Sequence, residues 1–425
     1  MVDCLITKKR FRADQIEPMS GVIYSWTGAA ERESGGKTLP EPFSVLLPAG
    51  KPPESARKIG AQYYKQRGLA DPELRDETSE KVENTVRYNP ENGSLLTEPR
   101  SFNLMFKTYV GATEDENSIT YLRPETAQSI FVQFKNVLDT SRKKLPFGIA
   151  QIGKAFRNEI NPRNYIFRSR EFEQMELEYF CRPEQGMELL EYWKEERLKF
   201  YEDIGIPREK LHVLTVPDKD RAFYSKGTYD IEYEFPFGVQ ELEGVAYRTD
   251  YDLTQHQKAS GKPLEYFDDE AKEKFIPHVI EPSAGVDRTV LALICEAYAE
   301  DTAPDDKGKA ETRVVLRFHP RMAPIKCAVF PLLKNKEQLV GKAKEIVQLL
   351  RPNMHVFYDE TGAIGRRYRR QDEVGTPFGV TVDFETFGEK DPALRDTVTL
   401  RERDSMKQER VKISDLVALL TARIS

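Results

Sequence analysis

A chain of 425 residues and 49.0 kDa exceeds what one ordinary hydrophobic core organises, so two or three domains are expected and a single small module is excluded. Its 39% hydrophobic and 32% charged content, with 23 Phe and 19 Tyr, is that of a globular chain rather than a disordered one. A net charge of −6 excludes a protein that coats nucleic acid non-specifically, so any RNA contact has to be regional.

The N-terminal stretch has no apolar core of signal-peptide length. No apolar run approaches the roughly 18 to 20 residues of a membrane helix, the longest being short, as in Thr289 to Cys295. Both readings favour the cytoplasm. Cys4, Cys181, Cys295 and Cys327 lie far apart without paired spacing, so they read as reduced packing residues, with neither a disulfide framework nor a zinc knuckle indicated. The first hundred residues are poorly periodic and rich in Gly, Pro and charge. They predict an irregular insertion at about 20–94 that carries one helix, Ser55 to Arg67, stopped by Gly68. Gly36-Lys37-Thr38 imitates the end of a phosphate-binding loop, but the leading glycine such a loop needs falls on Glu31.

From Leu95 to Leu316 the pattern turns to strands and helices. Phe147 to Glu159 and Arg170 to Phe180 predict an antiparallel hairpin with a long loop, Ile160 to Ser169. In its second arm Met175, Leu177 and Tyr179 alternate with Gln174, Glu176 and Glu178, so one face carries stacked acids. A helix from Pro183 to Ile204 stops at Gly205-Ile206-Pro207. Strands Tyr229 to Phe237 and Leu242 to Tyr251 follow, and a helix starts near Asp287 behind Glu281-Pro282-Ser283-Ala284-Gly285. After a linker, Glu300 to Lys309, strands alternate with helices. The strands are Ile325 to Phe330, Val356 to Tyr358, Gly379 to Phe384 and Thr397 to Arg401; the helices are Lys336 to Leu350, a segment around 365–371, and Ser414 to Ala422. This predicts a small α/β domain with a mostly parallel sheet and a boundary near residue 319.

At the hairpin mouth, Phe156-Arg157-Asn158-Glu159 and Phe167-Arg168-Ser169-Arg170-Glu171-Phe172 gather three arginines, a carboxylate and an aromatic ring. Guanidinium forks match phosphate oxygens and an aromatic face stacks on a purine, which describes a nucleotide site without a glycine loop. The same arginines could instead form surface ion pairs with nearby glutamates.

Phe156-Arg157-Asn158-Glu159, its loop, and Arg168 four residues before Phe172 resemble motif 2 of the class II aminoacyl-tRNA synthetases; Gly285-Val286-Asp287-Arg288 leading into an apolar helix is similar to motif 3. Tyr121 to Gln128, Phe172 to Glu176, Tyr229 to Gly238, Glu241 to Gly244, Glu281 to Gly285 and Gly365 to Glu373 narrow the resemblance to the homodimeric glycyl-tRNA synthetases, from about Val2 to Ile424. The resemblance implies an α+β class II catalytic core, an antiparallel sheet with flanking helices, over residues 1–318. An α/β anticodon-binding domain follows over 319–425.

The implied activity is ATP-dependent attachment of glycine to tRNA(Gly) through a glycyl-adenylate. Two anions meet in that first step and no proton has to be removed, so the protein must neutralise and align. The resemblance assigns ATP binding to Arg157, Asn158, Glu159, Phe167, Arg168, Ser169, Arg170, Glu171 and Phe172, to Glu241 and Leu242, and to Gly285, Val286, Asp287 and Arg288. Arg157, Glu159 and Arg288 are the implied catalytic residues, and Phe172 the ring on adenine. Magnesium is implied with Glu241 as a ligand. Glycine binding is implied for Arg12, Glu125, Phe172, Glu173, Gln174, Met175, Glu176, Glu281, Pro282, Ser283, Ala284 and Gly285, carboxylates taking the ammonium. For each acid the bland alternative is a solvated sheet face or an ion pair. Arg366, Arg367, Arg369 and Arg370, with Tyr368, suit either an RNA loop or a solvated helix paired with Asp372 and Glu373.

Three departures accompany the resemblance. Motif 1 should precede Cys4 to Asp14 and nothing does, so the chain is expected to start inside the catalytic domain, to be poorly dimeric and to be weakly active. Where many relatives carry cysteine pairs it has Cys4 and Asn89 to Gly93, which makes zinc an unexpected ligand. Val239 and Tyr247 replace the usual Trp and Asp. The competing readings are a non-catalytic synthetase-like accessory protein that binds nucleic acid, which the full ATP constellation disfavours, and a sister enzyme for threonine, proline or histidine, which three pocket carboxylates disfavour.

Overall fold

The computed structural model describes residues 1–13, 16–33, 36–304 and 310–425; Ser34 and Gly35, just ahead of the phosphate-loop imitation, and the 305–309 part of the expected linker lie outside the described residues. The chain forms two compact units, one of Met1–Pro124 with Phe156–Glu171, the other of Glu125–Ala155 with Phe172–Ser425.

The smaller unit corrects the expectation of irregular structure. Two three-stranded antiparallel sheets occupy it, Phe43–Leu47/Met19–Trp26/Thr78–Thr85 and Thr38–Leu39/Gly28–Glu31/Pro72–Arg75. Thr78–Thr85 is almost wholly exposed and polar, so it carries no alternation that a periodicity reading can find. The expected helix spans Pro53–Lys65 and buries Ala56, Tyr63 and Tyr64 in a core with Trp26, Phe43, Val45 and Leu47. Gly60 lets it approach, since a Cβ there would lie 2.8 Å from the Trp26 ring. Cys4 is buried with its Sγ 3.1 Å from Ser94 Oγ and 3.3 Å from the Thr7 amide. Burial works to raise its pKa, but these hydrogen bonds prevail and lower it to about 7.

The larger unit is built on a six-stranded sheet. In chain order its elements are α1 (Ala127–Ser141), β1 (Phe147–Phe156), β2 (Glu171–Cys181), α2 (Gly186–Asp203), β3 (Leu211–Thr215), β4 (Gly227–Phe235), β5 (Gly238–Thr249), α3 (Tyr251–Ser260), β6 (His278–Gly285) and α4 (Val286–Ala297). The strand order is β1-β2-β6-β5-β4-β3, so β2 and β5 flank β6, antiparallel to it. Ala127, Ile130, Phe131 and Phe134 of α1 pack with Phe147, Phe180, Leu253 and Val279. Tyr247, whose packing the sequence left open, is fully buried, its hydroxyl 3.2 Å from Pro183 O and 2.5 Å from His278 Nδ1. That ring leaves no room at the start of α2, where a Cβ on Gly186 would fall 2.2 Å from Tyr247 Cζ.

The expected linker is corrected in part: Tyr298–Pro304 is a strand paired antiparallel with Ala310–Leu316. Beyond it come β7 (Cys327–Pro331), α5 (Glu337–Leu350), β8 (Val356–Tyr358), α6 (Ile364–Val374), β9 (Phe378–Val382), β10 (Thr397–Glu402), β11 (Gln408–Lys412) and α7 (Leu416–Ile424). The sheet order is β8-β7-β9-β10-β11. Its first two pairings are parallel and its last two antiparallel, so it is mixed rather than mostly parallel. The charged β11 was not foreseen; two of its five residues are half-buried and the rest exposed. Leu339, Val347, Val380, Leu400 and Leu420 lie in this sheet's own core.

Candidate active site

The expected acidic face of β2 exists, and it points inward. Gln174, Glu176 and Glu178 are 5%, 4% and 0% exposed, whereas Met175, Leu177 and Tyr179 on the other face are only half-buried. A buried carboxylate costs several kcal/mol unless it is paired or hydrogen-bonded, so the partners define the site. Glu176 stands opposite Ser283 of β6. Its Oε1 accepts from Ser283 Oγ at 2.8 Å and Gln174 Nε2 at 2.9 Å, and its Oε2 accepts from Thr126 Oγ1 just ahead of α1. Burial still pushes the Glu176 pKa up, against those donors.

Glu281, also on β6, is held by Arg248 of β5, whose Nη1 donates to it while Nε and Nη2 grip Asp252 at 2.7 and 2.9 Å. The guanidinium is buried and lies over the Tyr224 ring at 4.1 Å. Gln128 Nε2 reaches Asp252 Oδ1 at 3.0 Å and Glu125 Oε1 at 3.1 Å, which ties Glu125 to the same network. Carboxylate oxygens of Glu176, Glu178 and Glu281 lie within 4.8 Å of one another. Four buried acids, counting Asp252, thus face one guanidinium. The arrangement calls for a further cation. Three donors already occupy Glu176 and Arg248 fills one side of Glu281, so the fit is to a small hydrogen-bonding cation such as an ammonium.

Not every expected glycine residue joins this face. The strand period puts Glu173 and Met175 of β2, and Pro282 and Ala284 of β6, on the opposite one, a correction for their side chains. Glu173 instead pairs with Lys154 at 3.8 Å, and its amide donates to Asp287 Oδ2 at 2.8 Å. Phe172 shares the parity of Gln174. At the start of α4, Gly285 leads into Val286, Asp287 and Arg288. Arg288 Nη1 donates to Glu241 O at 3.0 Å and lies 3.6 Å from the half-exposed Glu241 carboxylate. Leu242 is buried. Beside Glu241, burial followed by the charges of Glu241 and Glu232 pushes Asp230 up to about 6.

In the smaller unit, the hairpin loop turns back on itself. The Arg157 amide donates to Arg170 O at 3.0 Å, and its Nε to Pro124 O at 3.0 Å. Arg170 Nε donates to Glu159 O at 3.1 Å, Ser169 Oγ to Glu171 O at 2.8 Å, and Asn158 Nδ2 to Asn103 O at 3.2 Å. Phe167 is buried and serves the loop's packing rather than offering a free ring. Arg12, Glu159, Arg163 and Arg168 line a cavity of about 190 Å³, which places Arg12 with motif 2 arginines.

Residues 108–298 match the family of the tRNA synthetase class II core domain (G, H, P, S and T), and residues 326–423 match the anticodon binding domain. A glycine-tRNA ligase of Rhodopirellula baltica is 45% identical over 458 residues, covering 100% of this chain and 82% of that protein. One of Thermus thermophilus is 47% identical over 446 residues with the same coverages, and one of Thermobifida fusca is 54% identical over 333 residues, 78% of this chain and 71% of that protein. The chain belongs to the glycine-tRNA ligase family.

In the anticodon-binding segment of this ligase, α6 carries the four arginines expected at RNA, and one of them is turned inward. Arg367 is 2% exposed and donates to the carbonyls of Pro331, Leu332 and Gly362. Arg370 pairs with Asp359, Arg369 lies 3.6 Å from Asp372, and Arg366 is exposed. The Tyr368 hydroxyl shares a hydrogen bond with Thr381 Oγ1 and the ring packs edge-on against Phe330, so it belongs to the sheet. The residues that sequence reasoning missed are Thr126, Tyr224, Arg248 and Asp252. Thr126 and Arg248 stand inside or beside quoted strings, and only the fold brings them to Glu176 and Glu281. Among the described residues no helix is long and apolar enough to cross a membrane.

Proposed function

We propose that the inward face of β2 and β6 receives the glycine ammonium, with Glu176 and Glu281 as its anions, Glu125 at the edge, and Ser283 and Gln174 holding Glu176 in place. The observation that carries this reading is the excess of buried carboxylates over guanidinium in a cluster with its donors already aligned. Such a cluster stabilises a bound ammonium more than water does, because the anions are desolvated before the ligand arrives. Arg157 and Arg168 take the ATP phosphates, Arg157 also the attacking carboxylate; Phe172 takes the adenine and Arg288 the far end of the nucleotide. Guanidiniums held by backbone carbonyls keep their charge while giving up their freedom, which is what alignment of two anions needs.

Magnesium supplies charge neutralisation on the phosphates when bound. Glu241, with Asp230 and Glu232 on the paired strand, offers the hard oxygen donors that suit it. The 319–425 domain binds the anticodon end of tRNA(Gly), with the exposed Arg366 the strongest of the four candidates, and residues 1–318 form the catalytic domain. The chain acts in the cytoplasm. Glu176→Gln removes one anion but leaves an oxygen for Thr126 or Ser283. A charge-assisted hydrogen bond of about 1.5–3 kcal/mol is lost, so the KM for glycine in pyrophosphate exchange rises roughly 10- to 150-fold while that for ATP stays within about twofold. An unchanged glycine KM would overturn the pocket assignment.

A further inference from the structure

Glu178 is absent from the roles above, yet it is the most buried acid of the face. It is 0% exposed, and neither Oε1 nor Oε2 finds a hydrogen-bond partner among the described residues. The pairings Glu176 with Ser283 and Tyr179 with Ile280 put Glu178 directly opposite Glu281 across the β2–β6 ladder. Two ionised carboxylates facing one another across antiparallel strands repel, and in a dry site the repulsion is far larger than on a surface. Arg248 does not pair with both: each of its three nitrogens bonds Asp252 or Glu281, and none bonds Glu178 among the described residues.

We propose that Glu178 is a neutral carboxylic acid that donates its proton to the Glu281 carboxylate and so positions the anion that receives the substrate ammonium. The proposal rests on the pocket reading given above and adds a residue to it. The charged and titratable groups facing Glu178 are Glu176 on its own strand, Glu281 on β6 and Arg248 on β5, with Asp252 of α3 and Glu125 one step further out. Arg248 touches Glu281 and not Glu178, so of the two the negative charge goes to Glu281 and the proton to Glu178; burial raises Glu281 as well, but against Arg248 only to about 7. Burial, then the charge of Glu281, act in the same direction and raise the Glu178 pKa well above the carboxylate range. A single hydrogen bond then satisfies both oxygen groups: Glu178 gains a partner, and Glu281 gains a second donor opposite Arg248. The acid is a positioning residue that acts on the substrate through Glu281.

The test is an infrared measurement on the 425-residue chain at neutral pH together with glycine kinetics. The wild-type protein is expected to show a protonated-carboxyl stretch, shifted in D2O, that Glu178→Gln abolishes. In pyrophosphate exchange, Glu178→Ala is expected to raise the glycine KM by about tenfold or more with ATP KM unchanged, and Glu178→Gln, which still carries a donor for Glu281, to restore it to within about threefold. A missing carboxyl band, a band that survives Glu178→Gln, or a Gln variant as impaired as the Ala variant would overturn the proposal. If Glu178→Ala does not fold, the wild-type band and its loss in Glu178→Gln decide the matter alone. Failure of the pocket reading has a different signature, since Glu176→Gln would then leave glycine KM unmoved while the carboxyl band persisted.

Discussion

Replacing Arg248 with Met tests the charge balance of the pocket most directly. The guanidinium is buried, makes two bonds to Asp252 at 2.7 and 2.9 Å, and holds Glu281 with its remaining nitrogen; burial works to lower its pKa, but the Glu281 and Asp252 carboxylates prevail and raise it. Met fills comparable volume but leaves two buried carboxylates without a cation. Breaking a buried pair from one side costs about 3–5 kcal/mol, and at about 2 °C per kcal/mol for a domain of this size the midpoint should fall by roughly 6–10 °C near neutral pH. The pH dependence is the sharper signature. With Arg248 present, burial already holds the Glu281 pKa up at about 7 against the pull of the guanidinium, and without Arg248 it rises further. Glu281 then keeps a proton in the folded state that the unfolded state has already released. Stability is therefore intact below the unfolded carboxylate range, about 4, and is lost as pH rises through the raised folded value. Thermal unfolding followed by tryptophan fluorescence at pH 5.5 and 8 should show a small deficit at the lower pH and a larger one at the higher. An equal deficit at both, or a midpoint within about 2 °C of wild type throughout, would refute the reasoning, because it would mean the acids are not charged or not desolvated.

Two other substitutions address the remaining sites. Arg157→Ala should abolish adenylate formation, read as glycine-dependent pyrophosphate exchange, while tRNA binding by filter retention stays largely intact; unchanged exchange would remove Arg157 from the phosphate site. Arg367→Met should destabilise the anticodon-binding segment by at least about 2 kcal/mol, since the carbonyls of Pro331, Leu332, Asp359 and Gly362 lose a donor, while Arg366→Ala stays within about 0.5 kcal/mol in the same denaturant titration.

How much was legible in the sequence differs by element, for physical reasons. The hairpin of β1 and β2, the helices α2 and α4, and the alternation of the C-terminal domain were readable within a few residues, because each carries apolar residues at the period of its element. The sheets before residue 86 were not. Thr78–Thr85 faces solvent on both sides and Gly28–Glu31 is four residues long, so neither leaves a pattern. In the site, strand alternation correctly grouped Gln174, Glu176 and Glu178 but could not say which face was inward, since acids ordinarily mark the outer one. Arg248 and Thr126 were invisible as partners because their relation to Glu281 and Glu176 is one of strand order and helix placement. Arg367 shows the converse limit: four arginines on one helix look alike in sequence, and only the packing of α6 on β7 separates the one that caps carbonyls from those that face outward.

The inward face of β2 and β6 also explains why the pocket can be built on so few residues. Read along β2 the face runs Gln174, Glu176, Glu178, Phe180, and along β6 it runs Ser283, Glu281, Val279; Phe180 and Val279 are paired and belong to the core under α1. Binding surface therefore becomes hydrophobic core within a single two-residue step. A one-residue slip of register would exchange the entire face, turning Met175 and Leu177 inward and the acids out, so the same packing that stabilises the sheet also specifies the pocket. Tyr247 seated against Gly186 and His278 bonded to it hold β5 and β6 in that register from the far end. Glu178 stands at the seam, close enough to the core to be fully dehydrated and close enough to the pocket to face Glu281. A carboxyl at that place has only two stable conditions, paired with a cation or protonated. With Arg248 already committed to Glu281 and Asp252, the second follows from the geometry.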